Sequence, residues 1–252
     1  MSQETDYQSK LETIAAIPES DLKSPVMPVD VFLQEAENLY HWARDDEADL
    51  TGVGLDWGWV ADLPVRAGAL REAESIWFKK RFSQQETVKN WVASSEAGYA
   101  LRDRMLHSFR YAYRKDPGLL ARVSQITDGT GHADMIQDLN DIAVLGRGHI
   151  EPLLAINLDP AMLEEAAAAS DHLSDLLARA NVDREQATRT RIVRDQAYTH
   201  LKEAVDEVRD CGQYVFIGNE ARLKGYISQY HKKANAKARR GTSSPPEPEA
   251  VS

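Results

Sequence analysis

Apolar residues recur at three- and four-residue intervals through most of this sequence, the pattern of helices that each bury one stripe. From Val29 to about Leu50 the stripe is Phe32, Leu33, Ala36, Leu39, Tyr40 and Ala43, and Thr51-Gly52-Val53-Gly54 closes it. A second helical stretch spans about Leu55 to Lys115, with an entry or kink at Pro64 and a weak point near Phe82-Ser83. Its stripe runs through Ala67, Leu70, Ala73, Ile76, Trp77 and Phe82, then through Val88, Trp91, Val92, Tyr99, Leu101, Met105, Phe109 and Tyr113. After the turn Lys115-Asp116-Pro117-Gly118 comes a short helix, Leu119 to Ile126, and then the loop Thr127-Asp128-Gly129-Thr130-Gly131. A helix from His132 to about Leu158 follows, in which Gly146, Gly148 and Pro152 introduce a bend or allow close helix approach.

The safest element is one long helix from near Pro160 to about Cys211, because no glycine occurs between Gly148 and Gly212 and no proline follows Pro160 until Pro245. Asp159 caps it and Pro160 suits its first turn. Its apolar face passes through Leu163, Ala166, Leu173, Leu177 and Ala180, fades, and resumes as Tyr198, Leu201, Val205, Val208, Gly212 and Val215. The later set alternates three and four, the coiled-coil-like seam of antiparallel helix packing. Residues 183–194 are polar nearly all round, which reads as a stretch projecting past its neighbours, with partner binding or a kink as the alternatives. Tyr214-Val215-Phe216-Ile217 has strand-like residues but no second strand to pair with, so it reads as the helix end packing on the bundle. A short helix from Glu220 to about Tyr230 ends the regular structure.

Pro18, Pro25 and Pro28 make residues 1–28 read as a flexible arm, and residues 231–252 read as a disordered tail, basic and then Ser/Pro/Glu-rich. The expected fold is all-α: one elongated antiparallel bundle of four to five main helices over residues 29–230, with a long C-terminal helix.

Charge divides the chain sharply. The formal net charge is -10. Lys232, Lys233, Lys237, Arg239 and Arg240 give residues 231–240 a charge of +5, and Glu247 and Glu249 are the only charges beyond them, so residues 1–230 carry -13. An acidic body argues against general nucleic-acid binding, while the basic segment is an electrostatic footprint for nucleic acid or another acidic partner. The single cysteine, Cys211, excludes an internal disulfide and a multi-cysteine metal site. The polar, acidic beginning MSQETDYQSK does not read as a secretory signal, and no apolar run is long enough to span a membrane, so a cytoplasmic, bacterial-type protein is expected.

The chemistry that helical bundles often hold is not evident. A ferritin-like di-iron site needs Glu-x-x-His on two helices. The residues three before the seven histidines are Asn38, Arg104, Gly129, Gly146, Ala169, Ala197 and Ser228, so no such pair exists. Asp134, Asp138 and Asp141 would share a helix face that could take a hard cation, although acids early in a helix are favoured by its dipole alone. Cys211 reads as small apolar packing, Trp57 and Trp59 as core, and Arg102, Arg104, Arg110 and Arg114 as partners in intramolecular ion pairs. No catalytic residue, cofactor or metal is expected.

The run RDQAYTHLKEAVDEVRDCGQYVF from Arg194 to Phe216, with RLKGY ending at Tyr226, resembles the C-terminal part of an uncharacterised group of bacterial all-helical proteins. The resemblance covers about a sixth of the chain and implies a helix packed on the body through Tyr198, Tyr214, Phe216 and Tyr226. It implies no activity. The resulting expectation is a non-enzymatic structural or interaction protein acting through helical surfaces, with self-association as one mode. The alternative is an adaptor that binds nucleic acid or an acidic partner through the basic tail. Candidate partner-binding residues are Arg184, Arg189, Arg191, Arg194, Lys232, Lys233, Lys237, Arg239 and Arg240.

Overall fold

Ten α-helices and two short 3-10 turns make up the described residues 2–241 of the computed structural model, which contain no strand. The helices are α1 (Gln3–Ala15), α2 (Val29–Arg44), α3 (Glu47–Gly52), α4 (Gly58–Ala112), α5 (Pro117–Ile126), α6 (His132–Gly148), α7 (Ile150–Leu154), α8 (Ala161–Val215), α9 (Glu220–Leu223) and α10 (Gln229–Gly241). The long final helix is present as α8, with Asp159 accepting from the Ala161 N–H at 2.9 Å. A second 55-residue helix, α4, is uninterrupted at Phe82-Ser83 and contains Pro64 within its run. Tyr214 and Val215 complete the end of α8 rather than a strand.

Where the sequence reads as one domain over 29–230, the structure has two compact units, Met1–Phe78 with Arg189–Ser252, and Lys79–Thr188. The physical reason is that α4 and α8 are apolar toward both ends and polar in the middle, so burial is concentrated in two separate cores.

The first unit packs α1, α2, α3 and the beginning of α4 around the end of α8, with Phe32, Leu39, Ala43, Leu50, Leu63, Leu70, Leu201, Val205 and Val208 in its core. Eight consecutive residues of α8, Arg194 to Leu201, are buried, so the helix is covered on every side there. Part of that cover is the segment read from sequence as a flexible arm. Residues 3–15 form α1, capped by Ser2, with Ile14 fully buried. The chain following α1 is held by side chains of α8: Gln196 donates to the Ile17 carbonyl at 2.7 Å, and the Thr199 hydroxyl accepts from the Lys23 N–H at 2.9 Å. Lys10 reaches Asp62 of α4 at 2.8 Å. The prolines end α1 without freeing the arm, because its carbonyls find donors on α8.

The second unit packs α5, α6 and α7 against the later part of α4 and the beginning of α8, around Met105, Phe109, Tyr113, Met135, Leu139, Ile142, Leu153, Leu163 and Leu173. Asp116 caps α5 by accepting from the Gly118 and Leu119 N–H groups. The bend expected near Gly148 and Pro152 is a full break at His149, whose carbonyl accepts from the Tyr113 hydroxyl at 3.0 Å.

Candidate interaction surfaces

Polar clusters are numerous in both units, and most of them are internal fastenings. Asp46, buried, accepts from the Tyr226 hydroxyl at 2.6 Å and from both Nε and Nη2 of Arg222, at 3.1 and 2.5 Å. The Arg222 guanidinium also stacks over Trp42, 4.5 Å from the ring centroid, and the Trp42 indole N–H donates to the Arg222 carbonyl at 3.1 Å. Burial and the carboxylate beside it push the Tyr226 phenol well above its ordinary range. Gly212 and Gly225 permit these close approaches: an added Cβ would run into the Tyr226 ring at the first and the Trp42 ring at the second. These bonds fasten α2 and Asp46 to the segment after α8.

His200 is not satisfied in this way. It is buried, and its Nε2 has no hydrogen-bond partner. Burial, reinforced by the nearby Arg66 charge and opposed by Asp62, lowers its pKa to about 4, so the ring is neutral at pH 7.

The candidate partner-binding residues separate into three groups. Arg194 is buried: it pairs with Glu74 at 3.2 Å, lies 2.7 Å from Asp195, and covers the Trp77 ring at 4.3 Å. It is a fastening of the first unit and not a free surface cation. Arg184, Arg189 and Arg191 are exposed on α8, and Arg189 already has an intramolecular partner. The 183–194 segment does not project past its neighbours as the sequence suggests. Asp183 accepts from Thr87 at 2.6 Å and Gln186 accepts from Lys80 at 2.7 Å, both on α4. Its inward positions, Asp183, Ala187, Thr190 and Arg194, continue the three–four alternation with small or polar residues. An apolar scan passes over such a seam because the contact is made by hydrogen bonds.

The third group lies on α10, where a disordered tail was expected. Residues 229–241 are helical, and residues 231–238 are all exposed, including Lys232, Lys233 and Lys237. The side chains of Arg239 and Arg240, and residues 242–252, lie outside the described residues. The start of α10 is firmly held. Glu35 accepts from the Tyr230 N–H at 2.9 Å and from Arg209 at 2.7 Å, and Ser228 accepts from the His231 N–H at 3.3 Å. Burial opposes the Glu35 charge, but the N–H of Tyr230 together with Arg209 and Ser228 outweighs it and lowers the carboxyl pKa. Beyond that anchor the helix stays exposed through residue 238. A 13-residue helix is marginal without tertiary cover, although its alanines and the absence of glycine before Gly241 favour it.

The remaining candidates are occupied internally or lack convergent chemistry. Asp134, Asp138 and Asp141 are not gathered into a metal-capable group, and no such group of three acids, histidines or cysteines occurs among the described residues. Asp138 pairs with Arg102 at 3.3 Å, and Asp141 accepts from Gln137 at 2.7 Å. Arg102, Arg104 and Arg114 have intramolecular contacts, with Asp138, Glu165 and the Tyr111 ring respectively. Cys211 is half-buried, and burial raises its thiol pKa, which disfavours the reactive thiolate. In the second unit an open groove of about 460 Å³ is lined by Gly98, Leu101, Arg104, Glu165, Ala169 and His172 among others. No described helix is long and apolar enough to cross a membrane. Comparison with known proteins adds no template, since no family model, curated protein or solved structure matches this chain.

Proposed function

We propose that this chain is a non-enzymatic interaction protein, an antiparallel bundle of four to five main helices that presents α10 to an acidic partner. The observation that carries the reading is that residues 231–238 are all exposed in a lysine-bearing helix attached to a body of charge -13. Coulomb attraction between Lys232, Lys233 and Lys237 and a partner's carboxylates or phosphates supplies both rate and orientation. Binding would also supply the tertiary cover that the marginal helix lacks. The antiparallel reading is supported by the order of the α4–α8 bonds, in which Lys80 meets Gln186 and Thr87 meets Asp183.

The test uses fluorescein-labelled poly-L-glutamate as the acidic probe, titrated with full-length protein at low and high salt. Deleting residues 231–252 should abolish binding, and intact protein should lose affinity steeply as salt rises. Unchanged, salt-sensitive affinity after the deletion would end the reading.

A further inference from the structure

The same unit that carries α10 also carries an unpartnered acidic face. On α8, Glu203, Glu207, Asp210 and Tyr214 follow one another at spacings of four, three and four, and all are exposed. Tyr214 is 73% exposed, and Ile217, in the turn just beyond the helix, is 82% exposed. No described cation pairs with Glu203, Glu207 or Asp210, whereas their neighbour Asp206 is taken by Lys202 at 2.6 Å. The row is therefore a strip of free negative charge that ends in two uncovered apolar side chains.

We propose that α10 of one copy docks along this row of a second copy, through charge pairing of its lysines with Glu203, Glu207 and Asp210. The proposal rests on reading α10 as a recognition element and names its partner. Charge complementarity carries it. Lys232, Lys233 and Lys237 fall in one half of the α10 circumference at 100° per residue, so they face a partner together. Lys233 and Lys237 have the same four-residue spacing as Glu203 and Glu207, which brings two pairs into register on parallel or antiparallel helices. Ala236 falls within the same half of the circumference and keeps that face low for an approach to Tyr214 and Ile217. A polyanion such as duplex DNA is the weaker occupant, because the -13 of residues 1–230 repels phosphate while offering α10 its complement. Pairing of exposed charges is weak individually, so the association belongs to high protein concentration and low salt.

Sedimentation velocity on the full-length chain tests this from about 5 to 300 μM protein, at about 20 mM and about 300 mM salt, which spans strong and weak screening. Expected is a weight-average mass that rises with concentration at low salt and returns to the monomer at high salt. Two charge-reversed variants, K232E/K233E/K237E and E203K/E207K/D210K, should each weaken self-association at least tenfold while keeping wild-type circular dichroism, since all six side chains are exposed. An equimolar mixture of the two variants should recover association, because each supplies the complement of the other. A wild-type chain that stays monomeric throughout overturns the proposal, as does a mixture that fails to associate. Monomeric wild type that still binds poly-L-glutamate or labelled duplex DNA through α10 overturns only the second-copy partner and leaves the recognition reading intact.

Discussion

Two stretches of the same helix, α8, solve burial in opposite ways. Between Arg194 and Leu201 every residue is buried, including Asp195, Gln196, Thr199 and His200. Between Asn181 and Thr190 only Ala187 is buried. Yet Gln196 and Thr199 are no less polar than the residues of the second stretch. Sequence polarity therefore does not say which part of a helix faces water. What differs is the number of neighbours: the buried stretch has α4, α2 and the segment after α1 around it, and Gln196 and Thr199 bond the backbone of that segment. In the second stretch Asp183 and Gln186 bond to Thr87 and Lys80 of α4, and most side chains stay exposed.

The comparison breaks most completely if the buried stretch loses its largest anchor. Tyr198→Ala removes a fully buried ring that packs 4.8 Å from Phe32, and should cost about 4 kcal/mol by urea denaturation. Acid should come next. His200 binds its proton near pH 6.5 in the unfolded chain and near 4 in the fold, so the unfolded state holds more protons between those values. Stability should fall as pH drops through that window, by about 3 kcal/mol in total, and go no lower on account of this residue below it. Asp195, whose carboxyl burial pushes up, works in the opposite sense, so the measurement compares wild type with His200→Asn at each pH; the variant should lose most of the slope.

Gln196→Ala should cost about 1–2 kcal/mol by leaving the Ile17 carbonyl without its donor. Its more specific signature is faster amide exchange in α1 with α2 unchanged. The smallest effect belongs to the exposed stretch: Asp183→Ala, which removes the bond to Thr87, should stay within about 0.5 kcal/mol. A loss of several kcal/mol there would mean that the polar seam is as deeply load-sharing as the buried stretch, and would erase the contrast.

Much of the architecture was legible before any coordinates. The stripe Phe32, Leu33, Ala36, Leu39, Ala43 is buried as its period requires, and so is the seam Tyr198, Leu201, Val205, Val208. The packing of Tyr226 was also expected. Its bond to Asp46 was not, because those residues are 180 apart and no local pattern links them. The order of residues 3–15 was hidden for a related reason: Ile14 is the only fully buried apolar side chain of α1, too few to make a stripe. The candidate surface was half legible. The charge of residues 231–240 is plain in the sequence, but the pattern does not say whether such a segment lies on the body or stands clear of it. The acidic row on α8 was passed over because Glu203, Glu207 and Asp210 look like any solvated helix face until their lack of cations is seen.

The sequence by itself determined the helices, the continuity of α8 and the opposition of charge between residues 1–230 and the segment after them. These are local or additive properties: spacing, the absence of breakers, and a sum of charges. The tertiary structure alone decided that Arg194 and His200 are buried, that the proline-flanked beginning is ordered, and that residues 231–238 of α10 and the acidic row on α8 are both exposed. Each of those depends on which distant backbone groups and side chains meet, and contacts of that kind are fixed by packing the whole chain at once.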